Sequence, residues 1–504
     1  MTFRHDAQRT GLNPTESALT LTNVTSSTFG LLRMLQVDGK VDAQPLYLSQ
    51  LSVRGALHNV VFVATENNSV YAFDSDSGAT IWKVSLEGPG ETTGDGWGCF
   101  QTMVTIGVTA TPVIDRNAGP HGAIYLVAMT KDASGNFHQR LHALDVTTGA
   151  ELFNGPMDIT ATYPTASATT TFAPGQYVER AALLLSQGTI YTSWASHCDT
   201  LPYTGWVIAY GESTLAQTSV IDLGPNANTS PSNTTADYKG PAIWMAGNGP
   251  GVDAAGNIYL LTANGTFETA LDASGFPNLH DFGNSFVKLS TAGGRLTVAD
   301  YFSMSTEITE SQNDLDLGSG GEMLLPDLTD ATGTVRHLVV GAGKDRNIYL
   351  VNRDSMGHFS PIGDHIWQEL DSALGTNYST PAYFNGRIYY GDVSGTVKAF
   401  ALNNALLSAV PTSQTATQFT YPGGSPVVSA NGTSNGIVWV HENTSPAVLH
   451  AYDASNLAHE LYNSNQAGSR DQFGAGNRFI TPAIADGKVF VGTQSAVAVF
   501  GLLP

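Results

Sequence analysis

The chain has 504 residues, of which 42% are hydrophobic and only 13% charged, and its formal net charge is −21. So acidic a balance excludes nucleic acid as a partner, because phosphate contacts need clustered Lys and Arg. There is no run of 18 or more apolar residues, so no helical membrane span is expected.

Residues 1–28 read as an irregular lead-in. Residues 31–37 (Leu-Leu-Arg-Met-Leu-Gln-Val) then read as one strand. A full repeat follows from Pro45 to Trp82, with strands at Asn59–Ala64 and Ser69–Phe73 around the polar turn Glu66-Asn67-Asn68. Short alternating runs bounded by Asn, Gly and Ser are a hairpin signature. The repeat ends in Ala72-Phe73-Asp74, a Gly78 turn and Trp82. Weaker copies are Ala143-Leu144-Asp145 with Gly149 and Phe153, and Ala451-Tyr452-Asp453.

Further copies are anchored at Thr111–Val127, Gly188–Tyr210, Gly256–Leu289, His337–Val351, Gly386–Phe400, Gly436–Tyr452 and Gly487–Phe500. That makes eight repeats in all. Self-similarity at this period points to a repeat array. Short-stranded repeats rich in Gly, Ser, Thr and Asn point to an all-β, eight-bladed β-propeller of four-stranded antiparallel blades. The last repeat ends at the C-terminus after three strands. The strand at 31–37 is its natural fourth, which gives one propeller domain over 29–504 and hides an open sheet edge. Two insertions interrupt the pattern: residues 86–108, and residues 300–328 with Asp314-Leu315-Asp316. Long loops in a compact array are where function tends to sit.

No GxSxG, HExxH, P-loop or Rossmann fingerprint occurs, so any chemistry must come from loops converging at the channel mouth. The cysteines, Cys99 and Cys198, leave one disulfide or two separate thiols open. Adjacent strand residues point to opposite faces, which argues against a His197–Cys198 nucleophilic pair. His138, His142 and His197 lack a recognisable metal-ligand spacing. The chain opens at Met1-Thr2-Phe3 without an apolar signal region, so a removed signal and a non-exported protein both stay open. The composition favours a secreted or periplasmic protein.

The motif at 72–82 resembles the tryptophan-docking motif of the pyrroloquinoline quinone (PQQ) repeat family, and the likeness runs from about residue 30 through nearly the whole chain. That family includes quinoprotein alcohol dehydrogenases and cofactor-free relatives. Several loops resemble the dehydrogenase site in the same order along the chain. The resemblance makes Trp244 the flat aromatic under the quinone and Lys344 the cation on the quinone oxygens. It makes Asn264 a calcium ligand, and Asp316 with Asp314 the acidic pair that takes the alcohol proton.

Two departures stand out. The family's vicinal Cys–Cys ring is absent, and Cys99 stands alone in the corresponding region. The family's glutamate calcium ligand is not found; in Ser196-His197-Cys198-Asp199-Thr200, Asp199 is its substitute. With no CxxCH motif, no haem is expected.

The resemblance implies an oxidoreductase that oxidises a small-molecule alcohol or carbohydrate with PQQ and calcium. The alternatives are a cofactor-free binding propeller and a carbohydrate-active hydrolase or lyase, in which Trp97, Tyr203, Trp206 and Trp244 would stack on sugars. The dehydrogenase requires Trp244, Asn264, Asp316 and Lys344 to converge on one pocket with room for a planar tricyclic ligand. The binding platform predicts a channel plugged by side chains. The hydrolase or lyase predicts an open groove with two carboxylates, or a Tyr/His pair, about 5–10 Å apart.

Overall fold

The computed structural model describes residues 1–96, 104–200, 202–227 and 240–504. Eight antiparallel sheets follow one another along the chain as the blades of a propeller. Blade 1 is typical: Leu46–Val53, Ala56–Ala64, Ser69–Asp74 and Thr80–Ser85 pair in sequence order. The innermost strands of blades 2 to 8 are Val113–Asp115, Leu184–Ser186, Gly251–Val252, Met323–Leu324, Ala382–Phe384, Val427–Asn431 and Ala483–Ala485. The second and third strands of each blade are the most apolar, as burial on both faces requires.

The repeat motif has a physical explanation. Asp74 turns the chain by accepting the backbone N–H groups of Asp76 and Ser77, at 3.1 and 2.7 Å. Asp145 does the same for Thr147 and Thr148, at 2.8 and 3.1 Å. These are Asx turns. The aromatic that follows docks on the next blade: Trp82 Nε1 donates to the Val146 carbonyl at 3.0 Å. Gly149, with φ +74°, makes room for it, since a Cβ there would lie 2.9 Å from Trp82 Cε3. The turn and the docking aromatic recur because each blade must stop and then seal against its neighbour.

The ring closes as the sequence predicts. Phe29–Gln36 pairs antiparallel with Ala496–Leu502 and becomes the outer strand of blade 8. The observed strand begins two residues before the expected one. In the second insertion, residues 300–303 belong to the strand Thr297–Ser303, and the loop beyond them carries the short helix Glu307–Gln312.

Within the lead-in, Leu12–Asn13 pairs in parallel with Val428 and Ser429 of blade 7. The rest of this segment forms a strap that bonds to the inner region of every blade. Arg4 N–H donates to Gln44 Oε1, ahead of blade 1, at 2.9 Å. The backbone N–H groups of Ile114, Val252, Leu324, Tyr383 and Val428 donate to the carbonyls of Met1, Ala7, Gln8, Thr10 and Gly11 at 2.7 to 2.9 Å. Arg9 Nη2 donates to the Leu183 carbonyl at 3.2 Å, and Asn13 Nδ2 to the Ile484 carbonyl at 3.1 Å. Arg4 and Arg9 are completely buried. Among the described residues no helix is long and apolar enough to cross a membrane.

Candidate functional site

Loops from several blades meet around one cavity. Trp244 opens a short turn, Met245–Gly247, in which Met245 and Ala246 are left-handed at φ 39° and 49°. Such strain in non-glycine residues gathers at functional sites. Asp316 comes from the loop after the helix Glu307–Gln312, and Lys344 from the turn before the strand Ile348–Asn352. Gly343 lets this turn lie against the Asp316 loop, since a Cβ there would sit 2.4 Å from the Asp316 carbonyl oxygen. The backbone N–H of Lys344 donates to that same oxygen at 2.9 Å.

These side chains share one cavity of about 200 Å³. Trp244, Asp316, Lys344, Asp199, Arg180 and Cys198 all line it. Asp316 is 4% exposed. Its Oδ1 accepts the Asn264 backbone N–H at 2.7 Å, and its Oδ2 lies 3.3 Å from Lys344 Nζ. Lys344 Nζ also reaches Asp314 Oδ1 at 2.9 Å, and Asn264 Nδ2 donates to that oxygen at 3.1 Å. The structure therefore joins Asn264, Asp314, Asp316 and Lys344 in a single network, with Trp244 on the same cavity wall. Asp314 is at the rim, its side chain 63% exposed. Asp199 is exposed, left-handed at φ 52°, and accepts the Tyr203 hydroxyl at 3.3 Å.

Burial pushes the Asp316 pKa above the ordinary carboxylate value, while the Lys344 charge and the Asn264 N–H pull against it. Burial works against the Lys344 ammonium too, but Asp316 and Asp314 outweigh it and raise its pKa. Lys344 is therefore a fixed cation beside a carboxylate whose ionisation depends on it.

Among the described residues, two of the four aromatics of the sugar-stacking alternative are unavailable to a ligand. Tyr203 and Trp206 are 1% and 0% exposed and pack in the core between blades 2 and 3. Trp97 lies outside the described residues, as does Cys99. Cys198 is disulfide-bonded and so cannot act as a thiolate nucleophile. His197 is buried against the Tyr177 carbonyl at 3.2 Å. His138 and His142 pair with Asp132 and Glu151. The strap bonds to the inner region of every blade, and none of its residues lines the cavity.

Several residues at the site carry no signal in the sequence. Arg180 donates from Nη2 to the Phe479 carbonyl at 3.1 Å, and its guanidinium lies 5.9 Å from the Phe479 ring. Tyr378 and Phe479 approach Trp244 with centroids 5.9 and 6.2 Å away, at 54° and 84°. Tyr421 completes the aromatic cluster, 5.8 Å from Phe479. These residues come from blades far apart in sequence.

Glu179 was also missed. It lies between the cavity residues Val178 and Arg180 and is 4% exposed, with neither carboxyl oxygen hydrogen-bonded to a partner. Burial raises its pKa well above the usual range. A buried carboxyl without a donor is costly unless it stays neutral or meets a cation.

The side chains fit a flat, anionic aromatic ligand. Trp244 offers a π face, the Cys198 disulfide lines the same cavity, and Arg180 and Lys344 offer positive charge. The oxygen donors Glu179, Asn264, Asp199 and Asp316 fit a hard cation in their chemistry. Among the described residues, no three His, Cys, Asp or Glu side chains are gathered into a metal-holding group.

No protein-family model and no curated protein matches the sequence. Solved structures do. The quinohaemoprotein alcohol dehydrogenase of Comamonas testosteroni superposes with a TM-score of 0.63 at 14% identity, over 99% of this chain and 80% of that one. The likeness is one of fold. A second quinohaemoprotein alcohol dehydrogenase, from Pseudomonas putida HK5, gives 0.61 at 14% identity, over 100% and 80% of the two chains. A europium-containing methanol dehydrogenase gives 0.57 at 14% identity, over 99% and 97%. The chain thus has the propeller fold that these quinoprotein dehydrogenases have.

Proposed function

We propose that the cavity binds a quinone of the PQQ type and oxidises a small alcohol or sugar. The observation that carries this reading is the shared cavity wall of Trp244, the Cys198 disulfide, Lys344 and Asp316. When bound, the quinone would supply the two-electron acceptor for the hydride leaving the alcohol carbon.

The remaining work falls to side chains. Asp316 Oδ2 takes the hydroxyl proton. Lys344 and the Asn264 N–H keep that carboxylate ionised against its burial. Arg180 and Lys344 orient the ligand's negative groups, and Trp244 fixes its plane. Tyr378, Tyr421 and Phe479 crowd the cavity and exclude water. At about 200 Å³ the cavity is below the usual size of a ligand pocket, so this reading requires Tyr378, Tyr421 or Phe479 to move when the ligand binds. Glu179, Asn264 and Asp316, with Asp199 at the rim, are the residues that would offer oxygen donors to a calcium ion, and the ion would supply positive charge at the site. A disulfide-bonded Cys198 fits an oxidising compartment, secreted or periplasmic.

The test is titration of the purified protein with PQQ, read by tryptophan fluorescence with calcium and with a chelator. Saturable quenching that weakens at least tenfold in Trp244→Ala and Asn264→Ala is expected. No quenching under either condition would sink the proposal and leave the cofactor-free binding propeller.

A further inference from the structure

A second cavity, of about 490 Å³, opens between blades 4 and 5. Its wall includes Tyr259, Lys288, His337 and Arg353, and it shares no residue with the quinone pocket. The Lys288 ammonium and the Arg353 guanidinium each lie 5.7 Å from the centroid of the Tyr259 ring.

Among the described residues, neither cation has a carboxylate within ion-pair distance. Lys288 Nζ donates to the Arg353 carbonyl oxygen at 2.8 Å, and Arg353 Nη2 to the Leu325 carbonyl at 3.4 Å. Arg353 is 8% exposed, and its Nε is buried without an acceptor. Leaving such a group unpaired is unfavourable, and more so when it is charged.

Three carboxylates, Asp253, Asp327 and Asp354, line the same cavity, and each is engaged by groups other than the two cations. Asp253 accepts the backbone N–H groups of Ala255 and Asn257, the Asn257 amide and the Tyr259 hydroxyl, all within 3.0 Å. Asp327 and Asp354 flank His337, at 3.7 and 2.9 Å.

We propose that this cavity is a binding site for a small oxyanion-bearing ligand, held by the Arg353 fork and the Lys288 point charge. A planar guanidinium beside an ammonium is the donor set that carboxylate, sulfate and phosphate oxygens require. The Tyr259 ring lies within cation–π range of both cations. The inference does not depend on the quinone reading.

The test is isothermal titration calorimetry of the full chain with sodium phosphate and, separately, sodium acetate, at ionic strength held constant with chloride. The expected result is saturable one-to-one binding of at least one probe, weakened tenfold or more in Lys288→Gln and in Arg353→Gln and unchanged in Trp244→Ala. Preference between the probes assigns the ligand as phosphate-bearing or carboxylate-bearing. Absence of saturable heat from both would overturn the proposal, and so would binding that survives Lys288→Gln unchanged. Lys288 makes a single hydrogen bond, so that variant carries the test even where Arg353→Gln fails to fold.

Discussion

Replacing Lys344 by Met tests the electrostatics of the site without touching Asp316 itself. At 3.3 Å and an effective dielectric constant of about 20, the Lys344–Asp316 attraction is about 5 kcal/mol before desolvation is subtracted. An opposite charge at this range lowers a carboxylate pKa by about one to three units. Burial already raises Asp316 in the wild type, and loss of the ammonium raises it further.

Below the wild-type folded pKa, Asp316 is protonated in both proteins and makes no difference between them. As pH rises through the window between the two folded values, only the variant still holds the extra proton. Its stability relative to wild type then falls by about 1.4 kcal/mol per pH unit. Above the window the deficit levels off at about 1.4–4 kcal/mol. Loss of the Asp314 contact adds little, because that carboxylate is mostly exposed. Urea unfolding of both proteins from pH 4 to 9 measures this curve. A stability difference that does not change with pH would refute the coupling of Lys344 to Asp316.

Other outcomes follow from the same structure. Asp316→Asn should leave PQQ binding within a fewfold of wild type and lower alcohol oxidation by about 10²- to 10⁴-fold, read by dye reduction; full activity would remove Asp316 as the base. Non-reducing peptide mapping should recover Cys198 joined to Cys99, the only other cysteine of the sequence; a cross-link enclosing a loop of ~100 residues should cost about 4–5 kcal/mol on reduction. Arg9→Met leaves the carbonyls of Gly249, Pro250 and Leu183 without their guanidinium donor and should cost about 3–5 kcal/mol in denaturant unfolding. Trp82→Ala opens the seam between blades 1 and 2 and should cost about 3–5 kcal/mol in the same assay.

The fold was legible because its signals are local. Each blade needs short alternating strands, an Asx turn and a docking aromatic, and Asp74, Gly78 and Trp82 display all of this within a dozen residues. Trp244, Asn264, Asp316 and Lys344 could be picked out because each stands in a loop with distinctive neighbours. Glu179 could not: Val178 and Arg180 form no motif with it, and its isolation comes from burial, which no short window shows. The cavity's second cation and its aromatic cluster were hidden for a related reason, since Arg180, Tyr378, Tyr421 and Phe479 meet only after the ring has closed. The strap gave no signal because its bonds run to eight different blades, a pattern with no period.

That strap also orders events in time. Its first sixteen residues leave the ribosome before any of their partners, which run from Gln44 to Gly487. The outer strand of blade 8 waits longer still, because Phe29 pairs with Leu502. Seven blades can stack as the chain lengthens, each on the one before. The strap's bonds to blade 8 and the pairing of Phe29–Gln36 must then wait until that blade exists, and they complete the ring together. Contacts so distant in sequence slow folding and leave a long interval in which an unfinished ring exposes its edges. The final, slow step of folding should therefore be ring closure, with the strap's bonds to blade 8 forming in it.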